Sequence, residues 1–340
     1  MPLLPYACPR DHSPLERVPD GLRSAAGRLY PDALGGWDLR EEAADAANNS
    51  AQAAIFDALA GELSDLDHAH NLTLRFEREL LDAVPLTAGD RVLEIGGHRS
   101  GVLPYLERAR GVTGFGVDVS AEWVARQNAA ARERGSETRW SLADAERLPF
   151  LDRSFALVVA FDVFEHLGDL RAGVAEAFRV LRPGGRLVCH LPVQDIGGSL
   201  DGLSRARDPA DFAARQASVG HFHEKMPTRD RMRVLLEHVG FHVHAVRSFN
   251  VWVQPLHDYR LLPALARLRR RFERGGKAPA GIGGPPATGP SRWQQSYARS
   301  VVPLFASLAQ VDRLGAAMGI GGSCAFVAER PAGGEAPLRA

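Results

Sequence analysis

The sequence predicts an α/β protein built on a doubly wound, mostly parallel seven-stranded sheet with a helical cap. Three observations carry that prediction. From residue 91 to residue 191, short apolar runs alternate with stretches of helical period. One run, Phe155-Ala156-Leu157-Val158-Val159-Ala160-Phe161, is apolar throughout, as a parallel strand covered on both faces should be. The first run, Arg91-Val92-Leu93-Glu94-Ile95, passes into Gly96-Gly97-His98-Arg99-Ser100-Gly101. Glycines there let backbone approach a ligand where a Cβ would collide.

Residues 52–86 show helical period, with Ile55, Leu59, Leu63, Leu72, Leu80, Leu81 and Val84 apolar among charges. Residues 85–90 turn the chain into the first strand. A helix over about 101–110 leads to the second strand, 113–118, which ends in Asp118, 24 residues after Glu94. Two strand-end acids at that spacing suit the ribose hydroxyls of an adenosine-containing cofactor. Ser120 is placed to cap a helix over 121–134 that Gly135 stops. The third strand, 138–143, precedes Asp144; the fourth is 155–161. A helix over roughly 169–181 stops at Pro183-Gly184-Gly185, and the fifth strand is 186–191. Beyond it lie a polar, partly helical insertion (194–220), a helix (228–239) ended by Gly240, a strand (241–246), a helix (about 291–314) and a last strand (323–328). Residues 261–274 read as a basic helix with Leu261, Leu265, Leu268 and Phe272 in one stripe, and 275–290 as a mobile Gly/Pro/Ala-rich link.

Composition excludes several classes. Over 340 residues, 41 basic residues balance 41 acidic ones, so no global field draws the chain to nucleic acid or an anionic membrane. No apolar run approaches the roughly 20 residues a bilayer span needs, and the first ten residues are too short and Pro-rich for a secretory leader. Cys8, Cys189 and Cys324 lie far apart, the last two in predicted strands, which points to buried thiols in a reducing compartment. The expectation is a soluble cytoplasmic protein, with which a homodimer is compatible. Between Arg260 and Lys277, seven basic residues stand against one acid; this local patch keeps a polyanion partner in view.

Five ordered segments carry a family resemblance: Val92 to Gly101, Gly116-Val117-Asp118-Val119-Ser120, Ala143 to Phe150 with Asp152 to Phe161, Asp162-Val163-Phe164-Glu165-His166-Leu167, and Leu181-Arg182-Pro183-Gly184-Gly185. Together, over about 52–330, they resemble the class I S-adenosylmethionine-dependent methyltransferases. The resemblance implies a Rossmann-like methyltransferase fold with S-adenosyl-L-methionine as cofactor. It implies that Glu94 and Gly96, with Gly97 and Gly101, shape the methionine end of the pocket. Asp118 would accept both ribose hydroxyls, since a carboxylate is a double acceptor matched to a vicinal diol. Asp144, with the backbone of Ala145, would read the adenine edge, and Val119 and Phe161 complete the cofactor-binding set. The family's loop usually has glycines where this chain has His98 and Ser100. Either His98 points to solvent, or it crowds the cofactor's methionine tail and the site is weakened or repurposed.

A fainter resemblance covers the first forty residues. Cys8-Pro9-Arg10-Asp11, Pro14-Leu15-Glu16, the stretch from Gly21 to Gly27, Tyr30-Pro31 and Trp37-Asp38-Leu39 look like a small zinc ribbon found ahead of some bacterial methyltransferases. That module needs two CxxC pairs. Here only Cys8 is a cysteine, Asp11 and Ser24 take ligand positions, and nothing matches the last. The segment reads as a metal-free remnant that packs on the catalytic domain or helps to cover its pocket. Residues 1–40 are thus set apart from a methyltransferase domain over 41–330, with cap segments at 194–226 and 258–315 and a flexible tail at 331–340.

Methyl transfer from a sulfonium is an in-line displacement, so the protein positions the reactants and removes a proton where the acceptor requires it. The catalytic candidates are His221 and His223, which an extended segment would place on one side, and His166; His190 falls in the same region. For the His221/His223 pair, base and scaffold both stay open. Asp162-x-x-Glu165-His166 with one of those histidines is similar to the metal site of metal-dependent small-RNA 2′-O-methyltransferases, which carry Glu where this chain has Asp162. The same wording is ordinary in metal-independent relatives, where acid and imidazole support the pocket, and no metal is expected. The expected function is methylation of a small-molecule acceptor, at an oxygen of a secondary metabolite or modified sugar. The alternatives are an RNA or polyanion methyltransferase and a repurposed, non-methylating member of the fold.

Overall fold

Two sheets are joined along one strand edge. The computed structural model describes residues 5–41, 51–54, 72–97, 101–217, 220–221, 223, 226–261, 264 and 292–333. Near the amino terminus, β1 (Glu16–Val18), β2 (Gly21–Arg23), β3 (Leu29–Ala33) and β4 (Gly36–Trp37) form an antiparallel sheet. The main sheet holds β5 (Arg91–Ile95), β6 (Thr113–Asp118), β7 (Arg139–Leu142), β8 (Phe155–Phe161), β9 (Leu181–Pro192), β10 (His242–Phe249) and β11 (Ser323–Glu329). Its order is β10-β11-β9-β8-β5-β6-β7. The five strands from β9 to β7 run parallel, and β11 and β10 add antiparallel at the far edge.

Helices cover the sheet: α1 (Leu72–Asp82), α2 (Val102–Arg110), α3 (Ala121–Glu133), α4 (Leu170–Val180), α5 (Leu200–Arg207), α6 (Pro209–Ala217), α7 (Arg229–Val239), α8 (Arg292–Leu308) and α9 (Gln310–Ala317). Their ends follow local chemistry. Ser120 caps α3, its side chain accepting from the Trp123 N–H; Asp169 caps α4 and Thr228 caps α7 in the same way. Gly240 ends α7 in the left-handed region. In β8, Leu157 and Val159 pack into one core cluster and Val158 and Ala160 into the other. Both faces are buried, as the unbroken apolar run predicts.

Three boundaries differ from expectation. β9 begins at Leu181, not at 186, because Pro183-Gly184-Gly185 forms a bulge instead of a stop. Leu181 pairs with Phe155 and the register resumes at Arg186 opposite Leu157. The Gly184 N–H donates to the Arg330 carbonyl at 2.7 Å, so the chain after β11 holds the bulge. β10 runs on to Phe249 because β11 supplies a partner as far as Ser323. The helix expected over 291–314 breaks at Ala309 into α8 and α9. Much of the 52–86 helix, the basic helix of 261–274, the link of 275–290 and the tail from 334 lie outside the described residues.

The break at Ala309 positions Asp312, whose carboxylate accepts the N–H groups of Trp252, Val253 and Gln254 at 2.7 to 3.0 Å. Asp312 thereby starts the turn Val253–Pro255 that passes into the π-helical turn Leu256–Leu261. Asp312→Ala strands three donors and should cost about 3 kcal/mol, read as a lower Tm in calorimetry. An unchanged Tm would remove this anchor.

The amino-terminal sheet pairs with the main sheet at its exposed edge. Asp38 bridges Leu142 in parallel, and the Leu39 N–H donates to the Leu142 carbonyl at 2.8 Å. Tyr6 bridges Phe150 and sits in a ring cluster with Phe115 and Phe150. Covering β7 in this way removes an unpaired edge. Cys8 is buried, with its Sγ 3.3 Å from the Tyr30 hydroxyl; that hydroxyl donates to Glu41, which also binds Arg10 and Arg28. Among the described residues, no helix is long and apolar enough to cross a membrane.

Candidate active site

The connections reverse direction between β5 and β8, which makes the carboxyl ends of these strands the crevice where open α/β sheets bind ligands. Gly96 leaves β5 at φ 65°, and its N–H donates to the Val117 carbonyl at 2.8 Å. A Cβ there would come to 2.5 Å from Val163, and one at Gly97 would come to 2.2 Å from the Trp140 ring. Both positions therefore admit only hydrogen. Gly101, at φ 52°, starts α2. His98 and Ser100 lie outside the described residues.

The strand-end acids stand side by side. Asp118 accepts the Gly97 N–H at 3.0 Å on one oxygen and the Ser120 N–H at 2.8 Å on the other, and a carboxylate oxygen can accept twice. The Ala143 N–H donates to the Asp118 carbonyl at 3.1 Å, which brings Asp144 next to it. Asp144 accepts the Glu146 N–H at 2.8 Å, and Ala145 is buried. Val119 is half-buried after β6. Glu94 is buried within β5; burial first, then the charges of Glu77 and Asp118, raise its carboxyl well above the usual range. Phe161, half-buried at the end of β8, stacks on His190 at 4.5 Å.

His190 in β9 lies between two acids. Its Nε2 is 2.8 Å from Glu77 of α1 and its Nδ1 3.1 Å from Asp162. A neutral imidazole has one N–H and cannot serve both. Burial opposes the charge, yet Asp162 and Glu77 outweigh it and the pKa is pushed up to about 10. Asp162 holds φ 52°, a left-handed conformation costing about 1–3 kcal/mol for a residue with a side chain. Its N–H donates to the His190 carbonyl at 3.0 Å, which fixes that conformation at the switch point. Sequence reading missed Glu77. The available signal was a charge three and four residues before Leu80 and Leu81, on the apolar face of a helix.

A second group comes after β8 in the 3-10 turn Phe164–His166. Glu165 Oε1 lies 3.5 Å from His221 Nε2 and 3.9 Å from His166 Nε2, and the two imidazole rings are 5.1 Å apart. Burial, then the charge of Asp162, raises the Glu165 carboxyl well above its usual range. One ligand atom from each of the three residues falls within 4.8 Å of the others. His223 is not with them: its Nε2 accepts from Arg205, and its ring meets Phe212 edge-on at 5.7 Å. The shared side expected for His221 and His223 is not found, and the end of α6 holds His221. The His221 N–H donates to the Gln216 carbonyl at 2.9 Å, and the two imidazoles acquire different partners.

Residues 93–189 match the family model described as a methyltransferase domain. The chain is 31% identical over 185 residues to the 27-O-demethylrifamycin SV methyltransferase of Amycolatopsis mediterranei, covering 54% of this chain and 65% of that protein. It spans about half to two thirds of the length of such curated relatives. The fold is that of Haemonchus contortus phosphoethanolamine N-methyltransferase 2, solved with S-adenosyl-L-methionine (TM-score 0.51, 17% identity, 76% of this chain and 52% of that one). It is also that of the [4+2]-cyclase SpnF (TM-score 0.52, 18% identity, 84% and 96%). One architecture thus serves different reactions, and the site must carry the functional argument.

Proposed function

We propose that this chain, which carries a class I S-adenosylmethionine-dependent methyltransferase domain, transfers a methyl group to an oxygen of a small-molecule acceptor, a secondary metabolite or a modified sugar. The observation that carries this reading is the pair Asp118 and Asp144 on adjoining strand ends, beside a turn at which Val163 and Trp140 exclude side chains. The cofactor fits these residues. Asp118 would hold the ribose diol, Asp144 and Ala145 the adenine edge, and Glu94 with Gly96, Gly97 and Gly101 the methionine end; Val119 and Phe161 would flank it. When bound, S-adenosylmethionine supplies a methyl group on a sulfonium leaving group.

The chain's remaining task is to orient the acceptor and take up its proton. Glu165, His166 and His221 suit that task, while His223, tied to Arg205, shapes the cap. The oxygen acceptor is supported by the rifamycin relative, named for methylating a 27-O-demethyl compound. Calorimetric titration with S-adenosylmethionine, followed by a screen of methyl uptake across phenols, sugars and RNA, tests the reading. Absence of heat and of thermal shift would leave a non-methylating use of the fold, and affinity falling steeply with salt would favour RNA. His166→Ala should lower kcat by about 10² to 10⁴-fold with cofactor affinity unchanged; an unaltered kcat would remove His166 from the reaction.

A further inference from the structure

The Glu165 side chain is fully buried, and among the described residues neither of its carboxylate oxygens has a hydrogen-bond partner. A carboxylate taken out of water needs donors, a proton or a cation beside it. His221 is oriented by Gln216. Its Nδ1 is 3.0 Å from Gln216 Oε1; with the amide so assigned, Nδ1 carries the hydrogen and Nε2 turns a lone pair toward Glu165 Oε1, 3.5 Å away. The His221 lone pair and a Glu165 oxygen then face each other across 3.5 Å, a gap that a proton on Glu165 closes when the site is empty and that a cation displacing that proton can share. An imidazole whose outer N–H is fixed by an oxygen is also the arrangement that orients metal-ligating histidines. His166 Nε2 approaches the same carboxylate oxygen from the next residue.

We propose that Glu165, His166 and His221 bind a divalent first-row transition cation. Two imidazole nitrogens and one carboxylate oxygen favour such an ion over Mg²⁺ or Ca²⁺, which take oxygen shells. Asp162, which the sequence spacing groups with Glu165 and His166, is not among the three residues whose ligand atoms converge, and its carboxylate lies instead 3.1 Å from His190. His223 is excluded by Arg205. Three protein ligands leave coordination positions open for an oxygen of a small molecule. With the ion bound, these three residues would act on the acceptor by holding its oxygen at that position and easing loss of its proton, in place of taking up the proton themselves. That use rests on the function proposed above, whereas the binding of the ion does not.

The experiment uses the untagged full chain, stripped with chelator and titrated with Co²⁺. The Co²⁺ absorption spectrum reports ligation, and elemental analysis reports stoichiometry. The expected result is one ion per chain with an imidazole-type spectrum. Glu165→Gln and His221→Ala should each weaken Co²⁺ binding by about 100-fold or more, while His223→Ala binds as the parent does. Circular dichroism checks that each variant folds, and Co²⁺ should raise the Tm of the parent but not of the two ligand variants. No binding by the parent, or equal binding by folded Glu165→Gln and His221→Ala, would overturn the proposal. Methyl transfer without Co²⁺ binding would overturn the metal site alone, and Co²⁺ binding without affinity for S-adenosylmethionine would overturn the proposed function alone.

Discussion

Asp118→Ala is expected to abolish measurable binding of S-adenosylmethionine. The ribose diol would lose the two hydrogen bonds proposed to this carboxylate, each worth about 1.5–3 kcal/mol when one partner is charged. Together these amount to about 10² to 10⁴-fold in Kd. The substitution also removes the acceptor of the Gly97 and Ser120 N–H groups, so the glycine turn and the start of α3 lose their common anchor. Asp118→Asn keeps the shape and one acceptor oxygen and should fall between the two. Titration calorimetry with S-adenosylmethionine and its demethylated product reads all three proteins. Near-normal affinity in Asp118→Ala would place the adenosine elsewhere.

Glu77→Ala should destabilise the fold by about 1.5–3 kcal/mol, the worth of one hydrogen bond to a charged group, because Asp162 still faces the imidazolium. His190 sets the sign of the pH dependence. Its folded pKa is raised from 6.5 to about 10, so the associated stability is fully present below pH 6.5 and is lost as pH rises through about 10. The parent's Tm should therefore decline between neutral pH and pH 10. Glu77→Ala should start lower and decline less, because less of the shift is left to lose. Scanning calorimetry across that range measures both slopes, and parallel curves would show that Glu77 does not hold the imidazolium.

The parallel strands were legible to the residue at 113–118 and 155–161, because burial on both faces leaves continuous apolar runs, and Ser120 and Gly135 mark the two ends of the helix between them. The bulge in β9 was not, since Pro183-Gly184-Gly185 reads locally as a stop and only the distant Arg330 carbonyl makes it part of a strand. The residues proposed to hold the cofactor sit at the ends of sequential strands, so order along the chain conveys order in space. The group around His190 has no such register. Glu77, Asp162 and His190 come from a helix, a loop and a strand. The inference for His221 and His223 assumed a period of two, whereas a hydrogen bond from the His221 N–H back to Gln216 ties His221 to the end of α6.

Asp144 owes its position to residues more than a hundred places earlier in the chain. Strand β7, which delivers this acid, is an outermost strand of its own sheet and would fray there if nothing lay alongside. The backbone of Asp38 and Leu39 is fastened to Leu142, two residues before the acid. On its inner side β7 carries Trp140, whose ring backs Gly97. The amino-terminal sheet is thus a buttress: strain applied to it would reach Asp144 at the tip of β7 and, through one indole, the glycine turn as well.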